Sequence, residues 1–428
     1  MTRTVHTSRA SQADRWRRCV AGGALVTIAL AGCHALPGPP PQRQDRRPAA
    51  GTVPVERIQP PDPAAVWPPR AVWVVRQAYN SPEQIAAIME RSAQAGLNTV
   101  LFQVRGNATA YYRSRYEPWA EHFDFKDPGF DPLEVACREA HRRGLALHAW
   151  VNVMPAWRGR RPPADMKHLY HTHPYWFLHD QRGQRQALGD FYVSLNPCLP
   201  EVRTYLVNVM ADIVARYPID GLHLDYIRFP MESVPRGVDY PRDAATLRLY
   251  RAATGKSPDD DSAAWSRWRR EQVTRLVAEI RQSVRRARPP VRLTAACIPD
   301  VDEARTRFFQ DGPAWLRANL VDAVFVMNYT PDHDLFRRRH QLWRRSAPGR
   351  TVVPGLGVYM HDSPADSIAQ LRLAEQWGHG FALFSYGALL ERCAGGVSRI
   401  DALTPTLAAA AQRADTPSRR PRAVNLVP

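Results

Sequence analysis

The chain has 428 residues and a formal net charge of +17, room for two or three average domains or for one barrel of alternating strands and helices. The first 32 residues hold five Arg against one Asp, so about +13 stays with the rest of the chain. That balance suits an acidic partner such as an anionic cell-wall polymer or lipid head groups, and an export signal at the amino terminus argues against nucleic acid.

Arg15, Arg17 and Arg18 precede an apolar run from Val20 to Ala31 that is too short to span a bilayer as a mature helix, which reads as a signal peptide over 1–32. Its end, Leu30-Ala31-Gly32-Cys33, is similar to the bacterial lipobox, in which the Cys becomes the lipidated first residue. A membrane anchor through Cys33 is the expectation. Arg17-Arg18 also hints at twin-arginine export. Residues 33–69 are rich in Pro, Arg and Gln and read as an extended tether. The tail, 414–428, repeats that composition.

Between them, eight strand-like runs alternate with helical stretches: Ala71 to Val75, Asn98 to Val104, Leu145 to Val153, Gly221 to Phe229, Val291 to Ile298, Asp322 to Tyr329, Thr351 to Tyr359 and Gly380 to Tyr386. Parallel strands need crossover helices, so this order predicts a (β/α)8 TIM barrel over 70–413. Helix starts are marked by Ser81-Pro82-Glu83-Gln84 and Asp131-Pro132-Leu133-Glu134, and Ser363-Pro364-Ala365-Asp366 has the cap and the Pro without Glu or Gln. Gly96 and Gly144 close the first two of these helices. Two connections, Met154 to Leu199 and Pro230 to Ser262, are too long for plain loops and follow strands three and four at their carboxyl ends, where they wall a barrel's functional face.

Side chains alternate along a strand, so Gly221, His223 and Asp225 share one face while Leu222 and Leu224 share the other. By the same count Gln103 and Arg105 end the second strand, Asn152 the third, and Asn328 and Tyr329 the sixth, so with Arg228 they converge on one bowl around Asp225. Amides and an arginine around a carboxylate suit the hydrogen-bonding shell of a sugar. The blander reading of Asp225 is a helix cap or a salt bridge to Arg228. Trp157 and Trp176, in an aromatic-rich insertion, could stack on a flat, partly apolar substrate or pack against one another.

Ala149-Trp150-Val151-Asn152, Tyr192-Val193-Ser194-Leu195-Asn196-Pro197, Glu201-Val202-Arg203, Asp220 to Pro230 and Met327-Asn328-Tyr329-Thr330 together resemble the glycosyl hydrolase-like 10 family over about Arg70 to Leu390. The resemblance implies an exported bacterial barrel enzyme that hydrolyses cell-wall or other bacterial glycans; one branch of the family acts on peptidoglycan strands stripped of their peptides. Asp225 matches the family's carboxylate at the end of the fourth strand, where related barrels keep a nucleophile. Those relatives usually place a Glu acid after the fifth strand, where this chain has Ala295-Ala296-Cys297-Ile298-Pro299-Asp300. Asp300 is nearest that place and is the expected second carboxyl, with Glu232, Asp332 and Asp334 as alternatives.

His168, His171 and His173 lie in the insertion without a close carboxylate, so no metal is expected. No Gly-rich phosphate fingerprint follows the first strand and no Gly-x-Ser-x-Gly elbow occurs, so no cofactor is expected either. Cys137, Cys198, Cys297 and Cys393 fit no zinc spacing and leave disulfide pairing open, with Cys297 reading as a packed small residue. Arg267, Arg269, Arg270, Arg275, Arg281, Arg285, Arg286 and Arg288 read as a solvated helix face. The rival to a hydrolase is a noncatalytic glycan-binding lipoprotein on the same scaffold. A weaker one is a metal-dependent hydrolase or deacetylase with His171 and His173 as zinc ligands.

Overall fold

The computed structural model describes residues 60–62, 66–232, 234–393 and 396–415. The expected signal peptide, Cys33, most of the expected tether and all but the first two residues of the expected carboxyl tail lie outside the described residues.

Eight parallel strands close into a barrel: β1 (Arg70–Val74), β2 (Thr99–Arg105), β3 (Ala146–Asn152), β6 (Gly221–Asp225), β7 (Arg292–Cys297), β8 (Ala323–Val326), β9 (Val352–Gly357) and β10 (Phe381–Phe384). β4 (Pro155–Gly159) and β5 (Gly189–Ser194) form a separate antiparallel hairpin inside the first long insertion. All eight strands expected from the sequence are present, and helices connect them as the TIM barrel requires.

The alternation sorts the residues as expected. Val72, Val74, Val100, Phe102, Leu147, Leu222 and Leu224 face the helices in one large apolar cluster, while Ala71, Trp73, Leu101, Trp150, Phe325 and Val353 fill the barrel interior. Trp73 is the central plug, edge-on to His223, Phe325, Tyr329 and Phe384. Its indole N–H donates to Nε2 of His223 at 3.1 Å, and Nδ1 of the same ring bonds Thr294 Oγ1 at 2.9 Å. Below it, a Cβ on Gly221 would lie 2.5 Å from the His148 ring, so a glycine is what lets that imidazole fit inside.

The helix starts carry the chemistry read from the sequence. Ser81 Oγ accepts from Gln84 N–H, and Asp131 accepts from Leu133 and Glu134. Before Pro364–Trp377, Asp366 does the work of the missing Glu or Gln, accepting from the backbone N–H and hydroxyl of Ser363. Gly96 and Gly144 take left-handed φ of 80° and 67°.

The arginine-rich face of the helix Ser262–Ala287 is less solvated than its spacing suggests. Arg269 is buried, bonding Asp239 and Tyr240 O at 2.6 Å each, and Arg281 makes a two-pronged bond to Asp322 at 2.8 and 2.7 Å. Cys137, Cys198, Cys297 and Cys393 are free thiols, the first three buried.

Candidate active site

β6 ends at Asp225 because Tyr226 adopts a left-handed φ of 48°. That turn aims the Tyr226 N–H back at Asp225, whose Oδ1 accepts it at 2.6 Å. Asp225 is 5% exposed at the carboxyl end of the barrel, with Nη1 of Arg228 at 3.6 Å. Burial pushes its carboxyl above the usual range, and Arg228, the Tyr226 N–H and the Trp150 indole pull the other way. The salt bridge to Arg228 is therefore real and leaves the group perturbed, as carboxyls used for chemistry are.

Arg228 is held on both sides. Its guanidinium stacks over the Tyr226 ring at 4.2 Å, and Nη2 bonds Glu232 Oε1 at 3.2 Å. One guanidinium thus reaches two carboxylates, which keeps them within about 9 Å of each other, the outer limit of the spacing used by paired glycosidase carboxyls. Glu232 also acts electrostatically on Asp225, raising its pKa.

The other candidate carboxyls sit elsewhere. Asp300 caps the helix Val301–Thr306, its Oδ1 accepting from Asp302 and Glu303 N–H at 3.0 and 2.9 Å. Asp332 likewise caps His333–Ser346, and Asp334 pairs with Arg337. Each has a structural task, and Glu232 is the one the contacts tie to Asp225.

Gln103 and Asn152 are brought to the site. Asn152 lies in register with Asp225 across the β3/β6 ladder, and its Oδ1 accepts from Trp150 Nε1 at 3.1 Å and Gln103 Nε2 at 3.2 Å. Gln103 in turn accepts the Arg76 backbone N–H at 3.1 Å. Tyr329 stacks on Phe384 at 5.2 Å and its hydroxyl feels the charge of Asp225.

Arg105 and Asn328 are bound into the scaffold. The β2/β3 register shifts between Gln103 and Arg105, so the alternation that carries Gln103 inward no longer applies to Arg105. Its guanidinium is fully buried, bonded to Glu117 through Nε and Nη2 and to the carbonyls of Asn152, Val153 and Pro155 through Nη1. The side chain is fully enclosed by these groups. Asn328 is also fully buried and gives its amide N–H to Phe336 O at 2.8 Å, tying down the loop before the next helix.

The aromatic insertion is largely its own core. Trp157 donates to Arg161 O at 2.7 Å and packs on His168 and Phe125, and Trp176 lies on His173 and Tyr205. The three histidines serve the same packing: His168 bonds Asn107 O, His171 bonds Pro163 O and His173 bonds Thr172 Oγ1. Among the described residues no group of three or more His, Cys, Asp or Glu is gathered as metal ligands would be. From this insertion one ring does reach the site: Tyr192 on β5 meets Tyr226 edge-on at 5.2 Å, and its hydroxyl lies 3.5 Å from Arg76 Nη2.

Arg76 and Tyr192 reach the site without a mark in the sequence. Arg76 sits in the turn after β1, where strand alternation has ended, and Tyr192 was one ring among seven in the insertion.

The Glycosyl hydrolase DigH of Escherichia coli K12 is 29% identical over 291 residues, 62% of this chain and 62% of that protein. YngK of Bacillus subtilis is 29% identical over 229 residues, 53% of this chain and 41% of its own length. The chain thus aligns with less than two thirds of each. Among solved structures, the PgaB (BpsB) glycoside hydrolase domain of Bordetella bronchiseptica superposes with a TM-score of 0.56 at 15% identity, over 80% of this chain and 98% of that one. The beta-amylase catalytic domain of Paenibacillus polymyxa gives 0.57 at 9% identity, with the same coverage. At such identities these two establish the barrel fold. The family model glycosyl hydrolase-like 10 matches residues 68–352, two thirds of the chain, and the protein belongs to that family.

Proposed function

We propose that this protein is a glycoside hydrolase acting on a bacterial glycan, with peptidoglycan strands as the substrate and Asp225 at the centre of the reaction. The observation that carries the reading is the buried Asp225 carboxyl at the barrel's carboxyl end, held by Tyr226 N–H at 2.6 Å and joined through Arg228 to a second carboxyl, Glu232. The match to a family of glycosyl hydrolases supports it, as do relatives that carry that name.

In this account Asp225 is the carboxylate that meets the anomeric carbon, as nucleophile or charge stabiliser. A rigid, buried carboxylate costs little reorganisation when positive charge develops on the sugar ring. Glu232, with a quarter of its side chain exposed, serves the leaving oxygen in place of Asp300, which is occupied as a cap. Arg228 fixes both carboxyls, and Gln103 and Asn152 form the amide shell beside them. The lipobox at Cys33 supports export and attachment to a membrane, with the Pro-rich tether carrying the barrel away from it.

The test is to incubate the full chain with purified peptidoglycan strands, intact and peptide-free, and to count new reducing ends. Release from either supports the reading and identifies the preferred strand. Binding without release gives the noncatalytic glycan-binding reading the lead.

A further inference from the structure

Two arginines at the carboxyl end of the barrel are treated differently by their surroundings. Arg228 has Asp225 and Glu232 to balance it. Arg76, equally buried at 5% exposure, makes no ion pair among the described residues. Its Nε is enclosed without a hydrogen-bond partner, and the groups its guanidinium meets are neutral phenols, the Tyr192 hydroxyl 3.5 Å from Nη2 and the Tyr111 hydroxyl. Glu121 acts on it electrostatically, but that carboxylate is engaged by the Asn107 amide and by Thr109 Oγ1.

The guanidinium is also fixed in place. A Cβ on Gly106 would lie 2.3 Å from its central carbon, so it rests against bare backbone. Its own backbone N–H binds Gln103, Gln103 binds Asn152, and Asn152 lies in register with Asp225. A buried cation with no carboxylate in ion-pair contact is costly, and a guanidinium presents a planar fork that matches a carboxylate. The chain's +17 charge draws acidic polymers toward it.

We infer that Arg76 is a specificity residue that pairs with a carboxylate carried by the glycan. This rests on the glycan-hydrolase reading above and adds the chemistry of the sugar to it.

The probe is peptide-free peptidoglycan, whose muramic acid carries a lactyl carboxylate, beside the same strands with that carboxyl reduced to an alcohol. Dissociation constants are measured with the full chain as Asp225→Asn, with and without Arg76→Gln or Arg76→Lys, and cleavage of both strands is followed with Asp225 intact. The carboxylated strands bind about 10-fold or more tighter than the reduced ones, as a charge-assisted hydrogen bond allows. R76Q abolishes that preference and R76K keeps part of it, with thermal unfolding checking that each variant is folded. Equal binding of the two strands by the Arg76 protein, no binding of either, or a preference that survives in R76Q overturns the inference. Should R76Q fail to fold, the preference of the Arg76 protein and its weakening in R76K decide. Cleavage of both strands at equal rates with equal affinities leaves the hydrolase and removes the carboxylate contact. A binding preference without cleavage does the reverse.

Discussion

Nη1 of Arg228 stands 3.6 Å from Oδ1 of Asp225, close enough to steady the charge and too long for a direct hydrogen bond. The carboxyl is thus held in place by the short Tyr226 N–H bond and favoured as the anion chiefly by the Arg228 charge, while burial raises its pKa. That compromise gives the first prediction.

Where Asp225 must be ionised to act, activity falls on the acid side as it takes up a proton. Removing the Arg228 charge takes away the leading influence that favours the anion, so the folded-state pKa rises further. Arg228→Gln is expected to move the acid limb of kcat/KM to higher pH and to lower its plateau by about 100-fold, as loss of a positioned electrostatic group does. A pH–rate profile reads both. A limb that stays put places Arg228 outside the reaction.

Stability has its own pH dependence, set inside the barrel. Burial depresses His148 from 6.5 to about 4 and His223 well below 6.5, so both rings are neutral in the folded state. An unfolded chain protonates them near 6.5, so it binds more protons below that pH and stability falls as pH drops, with the His148 share exhausted near pH 4. The loss from His148 is on the order of 3 kcal/mol across that window. Urea unfolding at pH 7 and at pH 4.5 measures it, and His148→Gln should flatten the slope.

The fold and the site were legible to different depths. The β6 pattern placed Asp225 and His223 inward because a strand's period of two is rigid, and Asn152 and Gln103 followed for the same reason. The reading failed where the backbone left that period. A bulge after Gln103 carried Arg105 to Glu117, and the turn after β8 buried Asn328 against Phe336. A helix cap and a catalytic carboxyl look alike in sequence, and the Asp300 bonds to Asp302 and Glu303 are visible only in three dimensions. The hairpin of β4 and β5 was hidden in a stretch read as a long insertion, and with it Tyr192.

Arg105 and Glu117 form an ion pair with both side chains at 0% exposure, bonded at 2.7 Å. Glu117→Gln leaves the guanidinium buried beside a neutral amide and is expected to cost about 3 to 5 kcal/mol in denaturant unfolding. A loss under 1 kcal/mol would mean that the carbonyls of Asn152, Val153 and Pro155 hold Arg105 without help.

Gly106→Ala places a methyl against the Arg76 guanidinium, 2.3 Å from its carbon. Overpacking of this kind costs about 1 to 3 kcal/mol, and the displaced cation should take the preference for carboxylated strands with it. Thermal unfolding and strand binding report the two effects separately.

The central claim is that glycan cleavage depends on Asp225. The direct measurement is reducing-end release from peptide-free peptidoglycan strands by the full chain beside its Asp225→Asn variant, both shown to be folded. The account predicts release by the unaltered protein and a loss of about 1,000-fold or more in the variant, with strand binding retained. Equal release by the two proteins would contradict it.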